Sequence, residues 1–320
     1  MIKEKKRRKK VGIALGSGSA RGWAHIGVFK ALDEENIQID YIAGTSIGAL
    51  VGSVYAEGNI KSLEKFAKSI TWKTIISYLD ITLPINGLIS GKRVSKLLTG
   101  YFSNKKIEAL NIPFCCVAVD ITTGKEVRIN SGRIVDAIRS SISIPGIFTP
   151  FEKDKRYFVD GGVINPLPVN VVREMGAETV IAVDLNNYTI DKKKLNIEDS
   201  GNQKKIGSEN ISIIKKNRDS QIIQIIEEKY FSIKGSIKNK FNHLASRKSI
   251  QNIFEIIANS TYIMQKKITQ CNLSQFKPDI LIQPELDSFK LFDFDRAEVA
   301  INEGYDKTKQ IIVDLKKKIN

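Results

Sequence analysis

Short apolar runs alternate along the chain with longer stretches in which apolar residues recur every three or four positions. The short runs predict strands at 11–15, 41–43, 114–119, 157–159, 180–183 and 280–282. The longer pattern predicts helices over 21–35, 47–57, 60–68, 93–101, 134–140, 169–175 and 296–317. Alternation of the two favours an α/β fold whose sheet is mostly parallel. Gly58 and Gly176 stand where helix-ending glycines belong. No internal repeat is visible.

The rhythm breaks at 186–220, a stretch rich in Lys and Asn with few periodic apolar positions, which reads as an insertion. Periodicity then returns. Ile226, Tyr230, Ile233, Ile237, Phe241 and Leu244 recur at helical spacing, with Lys229, Lys234, Lys238, Lys240 and Lys248 among the polar positions. This stripe docks on the protein's own core or faces lipid; the pattern allows both. A further helical pattern covers 250–264. The expected organisation is a basic tail, 1–10, and a single domain, 11–320, carrying a polar and basic insertion at about 186–250.

Composition narrows the possibilities. With 320 residues, 42% of them hydrophobic, the chain can bury a large core. No window of 18 apolar residues exists, so a transmembrane helix is not expected. The basic start followed by an apolar run and small residues imitates a secretory signal. That run is five residues at 11–15, against the roughly seven to fifteen such a signal needs, so no cleaved signal peptide is expected. Cys115, Cys116 and Cys271 form no spaced cluster, which fits a reduced, cytoplasmic setting. Two histidines, His25 and His243, are too few for a multi-histidine metal centre, and none is expected. The net charge of +15 is concentrated: residues 1–10 carry +6 and residues 191–248 carry +7. The body is close to neutral, so nucleic acid is not an expected partner. Peripheral contact with the anionic inner face of a membrane is compatible with the basic segments.

Three motifs carry candidate chemistry. Gly44-Thr45-Ser46-Ile47-Gly48 matches G-x-S-x-G between a strand and a helix, the setting of a nucleophile elbow, where small flanking residues let the backbone turn sharply and expose the serine oxygen. Ser46 would also start a helix, where negative charge is favoured. An ordinary glycine turn is the alternative. The loop Gly16, Ser17, Gly18, Ser19, Ala20, Arg21 and Gly22 follows the first strand. Arg21 stands where a dinucleotide fingerprint needs glycine, and the loop does not end as a P-loop does. A small-residue loop at a helix start can hold an oxyanion on its N–H groups, or be a plain turn. Asp160-Gly161-Gly162 ends a strand, and its glycines allow close approach to another loop; an Asp-Gly turn is the alternative. A nucleophilic serine needs a base. His243 lies on the basic helical stretch, and His25 precedes Ser46 and fits a structural role on the first helix. A carboxylate acting directly on the serine suits the inventory better.

Together the three motifs resemble the patatin-like phospholipases, especially their bacterial branch. The likeness continues through Ala24-His25-Ile26-Gly27-Val28, 140–150 (SSISIPGIFTP), 165–169 (NPLPV) and 175–184. It is dense over 11–185, looser over 276–305, and leaves the insertion unmatched. The resemblance implies a three-layer α/β/α sandwich with a mostly parallel central sheet, and one catalytic domain. It further implies a serine–aspartate dyad with Ser46 as nucleophile and Asp160 as general base, an oxyanion loop at 16–22 braced by Arg21, and no cofactor. Gly44 and Gly48 would shape the elbow, and Gly161 and Gly162 the turn after the base. Ser17 and Ser19 interrupt the glycine run usual in the family, and serine resists positive φ, so the donating N–H groups are left open. The implied function is hydrolysis of fatty-acyl esters in phospholipids or lysophospholipids through an acyl-serine. A catalytically silent lipid- or partner-binding scaffold of the same fold is the competing expectation. Head group, acyl length and oligomeric state are not readable from the residues.

Overall fold

The computed structural model describes residues 7–80, 87–187 and 253–319. Most of the expected insertion, the 226–244 stripe and His243 lie outside them. Eight strands, β1 (Val11–Leu15), β2 (Tyr41–Thr45), β3 (Phe114–Asp120), β4 (Lys125–Ile129), β5 (Phe151–Lys153), β6 (Arg156–Asp160), β7 (Thr179–Val183) and β8 (Ile280–Ile282), form one sheet. β3, β2, β1, β7 and β8 run parallel in that order, and β4, β5 and β6 pair antiparallel at the β3 end. Residues of β1, β3 and β7 are buried throughout. Strands covered on both faces read as continuous apolar runs, which is why the pattern located them.

Nine helices are described: α1 (Ala24–Glu34), α2 (Ile47–Glu57), α3 (Ile60–Ser69), α4 (Trp72–Tyr78), α5 (Lys92–Phe102), α6 (Ile134–Ser141), α7 (Val169–Glu174), α8 (Ile253–Gln275) and α9 (Ala297–Ile319). The two sheet faces differ in side-chain size. Ile13, Leu15, Ile42, Ile181 and Val183 pack on the face covered by α1, α2 and α9. Ala14, Ala43, Val117 and Ala182 meet Val171 and Val172 of α7 on the other, joined by Leu273 of α8. The small residues let α7 sit close, and a Cβ on Gly12 would overlap Val172. α1 and α9 touch backbone to backbone, since a Cβ on Gly27 would overlap the Ile301 carbonyl and one on Gly304 the Ala24 carbonyl. The product is a three-layer α/β/α sandwich with a mostly parallel central sheet. No described helix is long and apolar enough to cross a membrane.

One strand positions the site. Cys116 pairs with Gly44 of β2 and Ile129 of β4, and Ala118 pairs with Asp160 of β6 and Val127 of β4. A strand has two hydrogen-bonding edges, so β2 and β6 share the edge of β3 opposite β4. β2 ends at Thr45 against Val117, and β6 ends at Asp160 against the next residue, Ala118. Their C-terminal ends therefore meet head to head, which brings the residue after Thr45 beside Asp160 across 114 positions of sequence.

The described end of the tail is tied to the body. Arg7 pairs with Glu178 at 2.8 Å, and Arg8 with Asp40 at 2.6 Å. At the start of the expected insertion, Asn186 is buried and its Nδ2 donates to Ser17 Oγ at 3.2 Å.

Candidate active site

Ser46 begins α2 in a backbone conformation few residues other than glycine adopt, with φ 57° and ψ −123°. Such a residue costs on the order of 1–3 kcal/mol and persists only where its surroundings hold it. Its carbonyl accepts from the Ala49 and Leu50 N–H groups at 2.9 and 3.2 Å, which starts the helix at once. The flanking glycines are required by space. A Cβ on Gly44 would stand 2.5 Å from the Gly48 carbonyl, and one on Gly48 would overlap the Leu15 carbonyl. Though Ser46 occupies the N-cap position, its hydroxyl does not cap the helix. It donates to Asp160 Oδ2 at 2.5 Å.

Asp160 is 1% exposed, and its other oxygen accepts the Gly162 N–H at 2.7 Å. Burial pushes its carboxyl up to about 7, against the opposing pull of the Ser46 hydroxyl and the Gly162 amide. Gly161 allows the turn to lie against β3, since a Cβ there would overlap the Val117 carbonyl.

The turn leaving α6 supports both residues. The Ser46 N–H donates to Ser141 Oγ at 2.7 Å, and that hydroxyl donates onward to the Val117 carbonyl at 2.5 Å. The Asp160 N–H donates to the Ser143 carbonyl at 2.9 Å, while Ser143 Oγ donates to the Arg139 carbonyl at 2.7 Å. Neither serine was assigned a role from sequence. The available signal was their spacing of two at a helix end, just before Pro145, within a stretch already noted.

The small-residue loop lies beside the pair. The Gly16 N–H is committed to the Val183 carbonyl at 3.0 Å and the Ser17 N–H to the Pro166 carbonyl at 2.8 Å. Those two amides are thereby removed from the open set of oxyanion donors. Gly18 and Ser19 line the same cavity as Ser46 and Asp160. Ser19 adopts φ 51°, the left-handed conformation serine resists, and its hydroxyl is anchored on the Leu291 carbonyl at 2.6 Å. Gly22 admits Ile47 of the elbow, which a Cβ would overlap. Arg21 is 1% exposed, with its guanidinium 4.5 Å from the ring centre of Tyr262 on α8.

His25 is fully buried behind this loop, with Nε2 2.9 Å from the Gly16 carbonyl. Burial lowers its value to about 4, so the ring is neutral near pH 7 and supports the loop backbone. Cys115 and Cys116 are buried in β3, where burial pushes both thiols up, Cys115 to about 12. Among the described residues no three His, Cys, Asp or Glu side chains are grouped as a metal site requires.

Tyr262 and Gln265 of α8 also line the cavity, and sequence reasoning missed both. Ser17 Oγ donates to Gln265 Oε1 at 3.2 Å. The earlier pattern ended this helix at 264, one residue short of Gln265, whereas it continues to Gln275.

A sequence model described as patatin-like phospholipase matches residues 13–173, half of the chain. An uncharacterised NTE family protein of Mycobacterium tuberculosis is 42% identical over 177 residues, covering 55% of this chain and 49% of that protein. The human patatin-like phospholipase domain-containing protein 6 is 37% identical over 184 residues, 55% of this chain and 13% of its own. The neuropathy target esterase sws of Drosophila melanogaster is 36% identical over the same share of this chain. The match spans about half the length of the mycobacterial relative. Among solved structures, VipD from Legionella pneumophila is similar with a TM-score of 0.46 and 14% identity, over 96% of this chain and 67% of that one. The family match begins within β1 and closes within α7, enclosing the elbow, the loop and the Asp-Gly-Gly turn, and on this the chain belongs to the patatin-like phospholipase family.

Proposed function

We propose that the protein is a serine hydrolase of fatty-acyl esters in lipids, working through a dyad of Ser46 and Asp160. The carrying observation is the 2.5 Å hydrogen bond from Ser46 Oγ to a buried carboxylate whose value is raised to about 7. A carboxylate near its ordinary value would be a weak base toward a serine hydroxyl, and one raised toward neutrality is better matched to the task.

The reaction is written with the chain's own groups. Ser46 Oγ attacks the ester carbonyl carbon while its proton passes to Asp160 Oδ2. The tetrahedral oxyanion is met by loop N–H groups, of which Gly18 and Ser19 border the cavity. Collapse breaks the bond to the leaving alcohol, which takes the proton from Asp160, and leaves an acyl-serine. Water then attacks that ester with Asp160 again as base, and the fatty acid departs as Ser46 recovers its proton. No step calls on a histidine, a metal or an organic cofactor.

The lipid class follows from the family and from the names its relatives carry. A silent scaffold would have no use for a strained serine held against a raised carboxylate. Release of fatty acid from a panel of phospholipids, lysophospholipids and neutral acyl esters tests the reading. Wild type is expected to hydrolyse at least one class, and Ser46→Ala to lose that activity with the fold retained. Equal release by Ser46→Ala would refute it.

A further inference from the structure

In the described structure the reactive pair is almost wholly buried. Ser46 is 4% exposed and Asp160 1%, and both lie at the bottom of a small, narrow cavity. One wall of that cavity is α8, which lies outside the stretch matched by the family. On its inner side Tyr262 and Gln265 border the cavity of the dyad, and Gln265 packs on Gly162 beside Asp160.

The inner face of this helix is poorly suited to permanent docking. Thr269 is 2% exposed and its hydroxyl meets no hydrogen-bond partner among the described residues. Gln265 is held to the catalytic loop by one long bond, 3.2 Å to Ser17. Buried polar side chains with few or no partners weaken the seating of an element.

The outer face presents the opposite anomaly. Ile263 and Met264, consecutive in sequence and adjacent to Tyr262 and Gln265, are 57% and 56% exposed. Val163, in the turn directly after Gly162, is 39% exposed. Isolated exposed apolar residues are ordinary, but each of these adjoins in sequence a residue that meets at the site, Gly162, Tyr262 or Gln265. Lys267 is exposed one turn on, and residues 256–275 contain no Asp or Glu. Apolar tips beside cationic and no anionic groups match an anionic lipid surface, where apolar insertion and charge attraction add. The described basic tail is less available for this role, because Arg7 and Arg8 are already paired with Glu178 and Asp40.

We infer that α8 is the element through which the protein meets its substrate: Ile263 and Met264 insert into an anionic lipid surface, and docking draws Tyr262 and Gln265 away from Ser46. The inference rests on the proposed hydrolase reading and adds where aggregated lipid is sensed and what it releases. The lipid surface binds the open arrangement better than the closed one, so it shifts the population toward access.

The test measures how fast a small soluble fluorophosphonate labels Ser46, with and without vesicles. The vesicles are equal parts ether-linked phosphatidylcholine and ether-linked phosphatidylglycerol, which cannot be hydrolysed at an ester. Labelling of wild type is expected to accelerate about tenfold with these vesicles, and less with phosphatidylcholine alone. Ile263→Glu/Met264→Glu is expected to label at the wild-type rate without vesicles and to gain nothing from them. The milder Ile263→Ser, at an exposed position, is expected to keep the fold and lose part of the acceleration. A wild type whose labelling is indifferent to vesicles, or a double variant accelerated as much as wild type, overturns the inference. Failure of the soluble probe to label Ser46 under any condition would instead strike the hydrolase reading.

Discussion

Ser46 and Asp160 owe their properties to what surrounds them more than to what they are. The hydrogen bond between them opposes the effect of burial on the carboxyl, which still rises to about 7. The acidic limb of kcat/KM is therefore expected near pH 7, with activity rising as Asp160 ionises. His25, near 4, cannot supply that limb, so a pH profile of His25→Gln is expected to keep it in place. The same shift bears on stability. Asp160 binds its proton more tightly folded than unfolded, from 3.8 to about 7, so stability present below pH 4 is lost as pH rises through 7. Asp160→Asn carries no charge, keeps an acceptor for Gly162 and turns an amide N–H toward the Ser46 oxygen, reversing that bond. It is expected to be inactive yet more stable than wild type at pH 8, by on the order of a few kcal/mol, with the gap closing toward pH 4 in thermal melts. Ser141 sets the elbow without touching substrate. Ser141→Ala leaves the Ser46 N–H and the Val117 carbonyl without their shared partner, and kcat is expected to fall about tenfold to a hundredfold at little change in KM. Loosening the Ser46 bond also removes a pull that lowers the Asp160 value, so the acidic limb is expected to move upward. An unmoved limb would mean that Ser141 is only structural. Ser46 and Asp160 could be singled out in the sequence because glycines flank the one and directly follow the other. Ser141, Ser143 and Gln265 could not, because their roles depend on which backbone groups they meet.

At the scale of elements, the buried strands announced themselves as apolar runs, with ends off by two residues at most. β4 escaped because Lys125–Ile129 is a partly exposed edge with charged residues in alternation, and β5 because three residues make no pattern. α4 begins with a Thr71–Thr74 capping box that apolar periodicity does not report. The edge of β3 shared by β2 and β6 was beyond reach, since antiparallel pairing of β6 at the end of a parallel strand leaves no local mark. The contact of α1 with α9 provides a test of packing. Gly304→Leu places a side chain against the Ala24 carbonyl and is expected to lower Tm, the cost being roughly 1–3 kcal/mol or more. A substitution to Leu at exposed Gly100, which meets nothing within 4 Å, is expected to change Tm far less. Equal Tm for the two variants would contradict the close crossing.

Over the whole molecule, the family stretch 13–173 supplies the elbow, the loop and the Asp-Gly-Gly turn, while β8, α8 and α9 complete the sheet edge and cover both faces. The most direct test of the account is to map the site of fluorophosphonate modification by mass spectrometry in wild type, Asp160→Asn, His25→Gln and His243→Gln. A single adduct on Ser46 is expected in wild type and in both histidine variants, formed at similar rates, with labelling of Asp160→Asn slowed by at least about a hundredfold. An adduct on another residue, or an Asp160→Asn protein labelled as fast as wild type, would contradict the dyad.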